Sequence, residues 1–246
     1  MRVADDAIST LTRWLRESRF TAVFTGAGMS TESGLPDFRS AGGLWKQNRR
    51  FEELASTAAL QHDFPEFVEF YRWRIQMLQG VEPHAGHRLI AEWQREGRVQ
   101  ALITQNVDGL HARAGSPEVL ELHGSLRMIR CQQCGTEADS ERFLTDEGIH
   151  CARCGGKMRP GVVLFGEALP ENALRKAQEA SERAELFLVL GSSLQVSPAN
   201  FFPQVAKAHG AKLVILNREP TAHDALADLR LDGAIGETLE QLGALT

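Results

Sequence analysis

Cys131, Cys134, Cys151 and Cys154 are the only cysteines in this 246-residue chain. They form two C-x2-C pairs with sixteen residues between them, inside the separation expected of a zinc ribbon. Two thiolate pairs on neighbouring turns can close a tetrahedron around one Zn²⁺. Four protein ligands leave no open position for water, so the ion is expected to be structural, and metal-assisted hydrolysis leaves the list of chemistries. Two disulfides, or four free thiols, are the competing readings of the same residues. The opening residues, MRVADDAISTLTRWLRE, read as an amphipathic helix with charges throughout rather than a signal peptide. No run is long and apolar enough to span a membrane. A cytoplasmic location is the expectation.

With 43% hydrophobic and 24% charged residues, the chain has ordinary globular composition, enough for one large domain or one domain with an insertion. A zinc ribbon can bind nucleic acid. A net charge of −5, and a single basic cluster at Lys46–Arg50 followed by Glu52 and Glu53, argue against that role. Short β-branched, near-continuous apolar runs alternate with helical patterns. The strand candidates are Ala22–Thr25, Val99–Thr104, Val119–Leu122, Val162–Phe165, Leu186–Leu190 and Leu213–Leu216; His84–Glu96, Glu171–Arg183 and Ala199–His209 read as helices. This alternation predicts an α/β fold, a doubly wound, Rossmann-like, mostly parallel sheet. The expected sheet domain comprises residues 1–38, 83–126 and 160–246. A helical insertion at 39–82 and a zinc-ribbon insertion at 127–159 are expected to form a smaller module beside it.

In open α/β sheets ligands collect at the carboxyl ends of strands, and the polar motifs of this chain fall there. Gly26-Ala27-Gly28-Met29-Ser30 follows the first strand, and Gln105-Asn106-Val107-Asp108 the second. His123-Gly124 follows the third, with Gly191-Ser192-Ser193 and Asn217-Arg218-Glu219 after later ones. Gly26 and Gly28 can let backbone N–H groups approach a pyrophosphate. The third glycine of the dinucleotide fingerprint is replaced by Thr31, so a plain strand-to-helix turn fits equally well. The continuation Gly34-Leu35-Pro36-Asp37-Phe38-Arg39 supplies a guanidinium suited to phosphate. Glu219 and Asn217 suit ribose hydroxyls, or a surface turn before Pro220. His123, with Asn106 and Asp108 on the neighbouring strand end, could deprotonate a hydroxyl and orient a water; a structural histidine is the plainer alternative.

These motifs resemble the sirtuins, Sir2-like NAD-dependent protein deacylases. The matching segments are GAGMSTESGLPDFR (26–39), TQNVDGLH (104–111), LHG (122–124), the four cysteines, VVLFGE (162–167), GSSLQVSPA (191–199) and LNREPT (216–221). Met29, Val107 and Ser192 are mild departures from the usual isoleucine, isoleucine and threonine. The resemblance implies that NAD binds at the sheet's carboxyl edge as co-substrate beside one structural Zn²⁺. Residues 26–45, including Gly26, Ala27, Gly28, Ser30, Asp37, Phe38, Arg39 and Trp45, would cover its phosphates and ribose. It implies that the acyl-lysine carbonyl oxygen attacks C1′ of the nicotinamide ribose, and that His123 is the general base that activates a ribose hydroxyl. Gln105, Asn106, Val107 and Asp108 would hold the nicotinamide end. Gly191, Ser192, Ser193, Asn217, Arg218 and Glu219 would hold the adenosine half, with Ile235 by the adenine. Val163, Phe165, Gly166 and Glu167 would pair with an acyl-lysine-bearing protein or peptide. Free lysine, nicotinamide and O-acyl-ADP-ribose would be the products. Protein ADP-ribosyl transfer is the alternative enzyme reading and a non-catalytic zinc-ribbon module the alternative outside enzymology; the His123, Asn106 and Asp108 set weighs against the latter.

Pro65–Gln79 carries a finer signal. Phe67, Phe70, Tyr71, Arg74, Met77 and Leu78 fall on one helical face. Arg74 therefore sits in an apolar stripe with no acid at i±3 or i±4, whereas Arg72 has Glu69 at i−3 and reads as a solvated surface charge. A cation and the chain's single tyrosine, one turn apart, suit a carboxylate ligand; an arginine paired to a distant acid, or snorkelling outward, is the alternative. Tyr71-x-x-Arg74, with Ala55 upstream, is similar to the sirtuin subclass that removes succinyl, malonyl and glutaryl groups, which implies acidic acyl groups besides acetyl. A plain lysine deacetylase is the competing expectation.

Overall fold

The computed structural model describes residues 5–245. The sequence-predicted N-terminal helix is present as α1 (Asp5–Glu17); its first four residues lie outside the described ones. Six strands form one parallel sheet: β1 (Thr21–Thr25), β2 (Ala101–Thr104), β3 (Leu120–Glu121), β7 (Leu186–Leu190), β8 (Lys212–Leu216) and β9 (Leu229–Leu231), in the order β3-β2-β1-β7-β8-β9. Three more, β4 (Gly124–Cys131), β5 (Glu137–Asp139) and β6 (Met158–Val162), make a separate antiparallel sheet in the order β5-β4-β6. The helices α2 (Leu44–Gln47), α3 (Arg50–Leu54), α4 (Thr57–His62) and α5 (Phe64–Gln76) come from the first interrupting segment. The remaining ones are α6 (Ala85–Arg95), α7 (Leu110–Arg113), α8 (Glu171–Arg183), α9 (Phe202–Ala208) and α10 (Ile235–Gly243).

The central strands are buried on both faces, and alternate side chains enter different cores because the side-chain period of a strand is two. Val23, Leu186, Leu188 and Leu190 join Ile8 and Leu11 of α1, Ile90 and Trp93 of α6 and Leu239 of α10. Ala22, Phe24, Phe187 and Val189 join Ala177 and Ala180 of α8 and Phe202 and Ala206 of α9. Each large apolar side chain among these contributes about 1.5–3 kcal/mol by leaving water, and Phe24→Ala should cost about 3–5 kcal/mol. A third core joins the helical insertion to the cysteine module: Leu54, Phe67, Phe70 and Ile75 pack with Leu126, Ile129, Phe143 and Met158.

Two sequence expectations change. Val162–Phe165 is not a strand of the parallel sheet. Val162 ends β6, and Phe165 makes only an isolated bridge to Ser56. Its apolar run serves the third core through Val162 and Leu164, which periodicity cannot distinguish from a sheet core. The sixth parallel strand is instead Leu229-Arg230-Leu231, too short and too interrupted by charge to register as an apolar run. The small sheet also begins at Gly124 and ends at Val162, so it reaches into stretches the sequence assigns to the larger domain.

Candidate functional site

The strand order reverses direction between β1 and β7, which puts the topological switch point between Gly26 and Gly191. A cavity of about 810 Å³ opens there, between the parallel sheet and the smaller module. The chain ends of β1 and β7 approach so closely that side chains are excluded. A Cβ on Gly26 would lie 2.7 Å from the Gly191 carbonyl oxygen, and one on Gly28 2.8 Å from Gly191 Cα. Gly191 itself has φ +64. Residues Ala27–Ser33 then form a 3₁₀ helix. The backbone is thus bare where a pyrophosphate would lie.

The cavity wall includes Gly26, Ala27, Gly28, Asp37, Phe38, Arg39 and Trp45 from the first loop, with Gln105, Asn106 and Val107 after β2. Gly191, Ser192, Ser193, Asn217, Arg218, Glu219 and Ile235 line its other half. Ser30 and Asp108 lie behind this wall. The Ser30 hydroxyl donates to Asp108 Oδ2 (2.7 Å), and Asn106 Nδ2 donates to Ser30 Oγ (3.1 Å) and to the Gly26 carbonyl (3.0 Å). Burial pushes the Asp108 carboxyl up, opposed by hydrogen bonds from Leu110 N and Ser30. Gln105 Nε2 donates to Ser192 Oγ (2.8 Å), tying the β2 end to the β7 end. Asn217 Nδ2 donates to the Glu219 carbonyl (2.7 Å), so this turn also forms part of the wall.

His123 lines the same cavity. Its Nδ1 lies 3.0 Å from the Gln105 carbonyl oxygen. A carbonyl only accepts, so Nδ1 carries the proton and the neutral ring keeps a lone pair on Nε2. Burial lowers its pKa below 6.5, with the Gln105 contact opposing. The ring is therefore a neutral base at physiological pH.

Three arginines in the wall, Arg39, Arg74 and Arg218, stand without an ion pair among the described residues. The guanidinium groups of Arg39 and Arg74 make no hydrogen bond or ion pair among the described residues, and burial lowers the pKa of both, opposed by Glu52 for Arg39 and by Tyr71 and Asp108 for Arg74. Arg74 lies over the Phe38 ring at 5.2 Å and the Phe70 ring at 5.9 Å. Ala55 and Tyr71 line the cavity beside it. Burial pushes the Tyr71 phenol up to about 12, Arg74 opposing, so the hydroxyl stays protonated and can donate. Met77 and Leu78 fall past the end of α5. Arg72 is not a solvated surface charge: it bonds Glu69, the Phe143 carbonyl (3.0 Å) and Asp146 (2.9 Å), with its side chain only 17% exposed. The acid it needs lies 74 residues away in sequence, where helical spacing cannot reveal it.

Val163, Phe165, Gly166 and Glu167 line the cavity mouth. Val163 N donates to the His123 carbonyl (2.8 Å), and Phe165 N to the Ala55 carbonyl (2.9 Å). The Glu167 carboxylate is already engaged by Arg159 (2.5 and 3.0 Å) and by Leu164 N (2.9 Å). Arg159 escaped the sequence reading because only the fold brings it to Glu167.

A buried histidine stack also escaped it. His84, His87 and His111 follow one another at ring separations of 4.4 and 4.7 Å. His111 Nε2 meets Thr25 Oγ1 (3.0 Å), which donates to Thr104 Oγ1 (2.7 Å), which in turn accepts from Asn106 N (3.0 Å). Both ring nitrogens of His87 are buried without a partner among the described residues.

The four cysteine Sγ atoms lie within 4.8 Å of one another. The Cys131–Cys154 and Cys134–Cys151 pairs are 3.5 and 3.6 Å apart. A tetrahedral Zn–S₄ site with bonds of about 2.3 Å has edges of about 3.8 Å, whereas a disulfide requires about 2.05 Å. The thiols are free, and the donor set fits zinc. A four-cysteine structural site beside a six-stranded parallel Rossmann-like sheet is therefore the architecture. No described helix is long and apolar enough to cross a membrane.

Comparison with known proteins agrees with this arrangement. A sequence model of the Sir2 family matches residues 26–198. A Geobacillus kaustophilus protein named NAD-dependent protein deacetylase 1 is 58% identical over 237 residues, covering 95% of this chain and 96% of its own. A solved Sir2 homologue–NAD complex superposes with a TM-score of 0.89 at 39% identity, covering 97% and 95% of the two chains. A Sir2–p53 peptide–NAD⁺ structure gives 0.86 at 36% identity, covering 97% and 99%. The bare switch-point loop, the cysteine module and the matched sequence coincide over nearly the whole chain, which belongs to the Sir2 family.

Proposed function

We propose that this protein is an NAD-dependent protein-lysine deacylase whose acyl pocket accepts succinyl and malonyl groups as well as acetyl. Relatives named as NAD-dependent protein deacetylases and deacylases support the general activity. NAD, consumed as co-substrate, supplies the ribose that accepts the acyl group and the nicotinamide that leaves. The bare Gly26–Gly28 and Gly191 backbone and unpaired Arg39 fit its pyrophosphate. Ser192, Ser193, Asn217, Glu219 and Ile235 would hold the adenosine half, with Gln105 and Asn106 at the nicotinamide end. His123 Nε2 would take the proton of a ribose hydroxyl, and the Gln105 carbonyl would steady the imidazolium that forms. Val163 and Gly166 would pair with the backbone of an acyl-lysine peptide, a β-augmentation, while Phe165, whose N–H and carbonyl are taken by Ala55 and Thr57, would present its side chain to it; the peptide-bound Sir2 structure supports a peptide partner.

One observation carries the acyl reading: Arg74, half-buried in the cavity wall, has no ion pair and only the field of Asp108 opposite it, in a wall shared with a protonated Tyr71 and the small Ala55. A substrate carboxylate would supply the missing charge, and acetyl would not. Arg74→Met should weaken kcat/KM for succinyl-lysine by about 2–5 kcal/mol, mainly through KM. Acetyl-lysine turnover should hold or improve. Equal loss of both activities would make Arg74 structural and leave a plain deacetylase.

A further inference from the structure

We propose that Arg159 and Glu167 form a positioning pair: a salt bridge through which the cysteine-bearing sheet sets the shape of the substrate-pairing segment 163–167. This rests on the reading that the segment receives the peptide. Arg159 is on β6, with its side chain 4% exposed. It makes two contacts to Glu167, one to each carboxylate oxygen, at 2.5 and 3.0 Å. Two further N–H groups go to the Val162 carbonyl (2.5 Å) and the Pro160 carbonyl (3.3 Å). Glu167 Oε2 also accepts from Leu164 N (2.9 Å), and Arg130 stands 3.7 Å from Oε1.

The pair therefore closes a loop. One end is fixed to β6 at residue 159, the other grips the backbone of residue 164 from residue 167. Between them the chain must turn at Gly166, whose φ is +96, a conformation costly for other residues. The other fixed points are backbone bonds: Val163 N to the His123 carbonyl, Phe165 N to the Ala55 carbonyl and Thr57 N to the Phe165 carbonyl. The segment thus spans the proposed base on one side and the acyl pocket on the other. The side-chain anchor among these bonds is Glu167, gripped by Arg159, bonded to Leu164 N and faced at 3.7 Å by Arg130. A planar, bidentate guanidinium fixes direction as well as distance, which a loop presenting backbone groups to a peptide requires. Glu167 is accordingly a positioning residue, its carboxylate held by Arg159 and Leu164 N.

The consequence is separable from dinucleotide binding, because the glycine-lined wall is built on the parallel sheet and shares none of these bonds. The test is Glu167→Gln, with Glu167→Asp as the conservative control. Peptide KM, kcat at saturating peptide, ADP-ribose affinity by titration calorimetry, and Tm are measured for each. Glu167→Gln should raise peptide KM tenfold or more, leave kcat within about threefold and leave ADP-ribose affinity within about twofold; Glu167→Asp should recover much of the loss. Losing one partner strands a buried cation and could unfold the protein. The double variant Arg159→Met/Glu167→Leu removes both charges and covers that case: it should melt close to wild type with the same raised KM. Wild-type KM in a folded single or double variant would overturn the pairing role. So would equal losses in KM, kcat and ADP-ribose affinity, which mark a merely structural bridge. If the wild-type protein turns over no acyl-lysine peptide, the functional reading itself fails, an outcome distinct from either.

Discussion

His87 gives a prediction whose size follows from burial alone. It is fully buried, with neither ring nitrogen partnered among the described residues, and His111 beside it is 2% exposed. Burial first, then neighbouring charges (His111, His84 and Arg88 for His87; His84 for His111), lowers their pKa values to about 2 and about 3. Both folded-state values lie below the unfolded value of about 6.5, so the unfolded chain takes up protons first as pH falls. Stability present above pH 6.5 is then lost progressively toward pH 3. At pH 5 each histidine accounts for about 2 kcal/mol of that loss, set by the unfolded pKa because the folded groups are still neutral. Leucine has nearly the same volume and no polar atoms to strand. His87→Leu should match the wild type within about 1 kcal/mol at pH 7.5, or exceed it, since an unmet polar atom costs about 1–3 kcal/mol. At pH 5 it should have lost about 2 kcal/mol less than the wild type. Urea titrations of both proteins at pH 7.5, 6 and 5, with zinc held constant, measure this. Subtracting one protein from the other removes thiolate and carboxylate effects common to both. Parallel losses would refute the argument and show that His87 is solvated or protonated in the fold.

Elemental analysis should find one zinc per chain, and Cys131→Ser or strong chelation should lower Tm by about 10 °C, equivalent to about 3 kcal/mol in a chain of this size; full stability after chelation would remove the metal from the account. His123→Ala should lose turnover by ~10²–10⁴-fold with NAD binding better preserved. Because burial lowers the His123 pKa, the acid limb of wild-type kcat/KM should lie below pH 6.5 and vanish in the variant; near-normal turnover would place the base elsewhere.

The sequence was most readable where a signal was local. Leu186–Leu190 and Glu171–Arg183 fall where the structure has them, because buried strands and amphipathic helices announce themselves within a few residues. The cysteine spacing likewise anticipated a four-sulfur cluster. Long-range partnerships were invisible: Arg72 with Asp146, and Arg159 with Glu167 across a short loop, needed the fold. Val162–Phe165 misled because an apolar run does not say which core it enters. Leu229–Leu231 was missed because three residues with a central arginine fall below any pattern. The histidine stack went unread because only His84 and His87 share a pattern, the start of α6, and His111 joins them when the fold brings α7 alongside.

The central claim is that this chain moves an acyl group from lysine to the ribose of NAD. One lysine peptide should be prepared unmodified, acetylated and succinylated, incubated with the protein and NAD, and every product identified by mass spectrometry. The account predicts nicotinamide release only with the acylated peptides, one O-acyl-ADP-ribose for each lysine freed, and a succinyl kcat/KM lowered by Arg74→Met while that for acetyl holds. Nicotinamide release without an acyl group, with ADP-ribose left on protein, would contradict it.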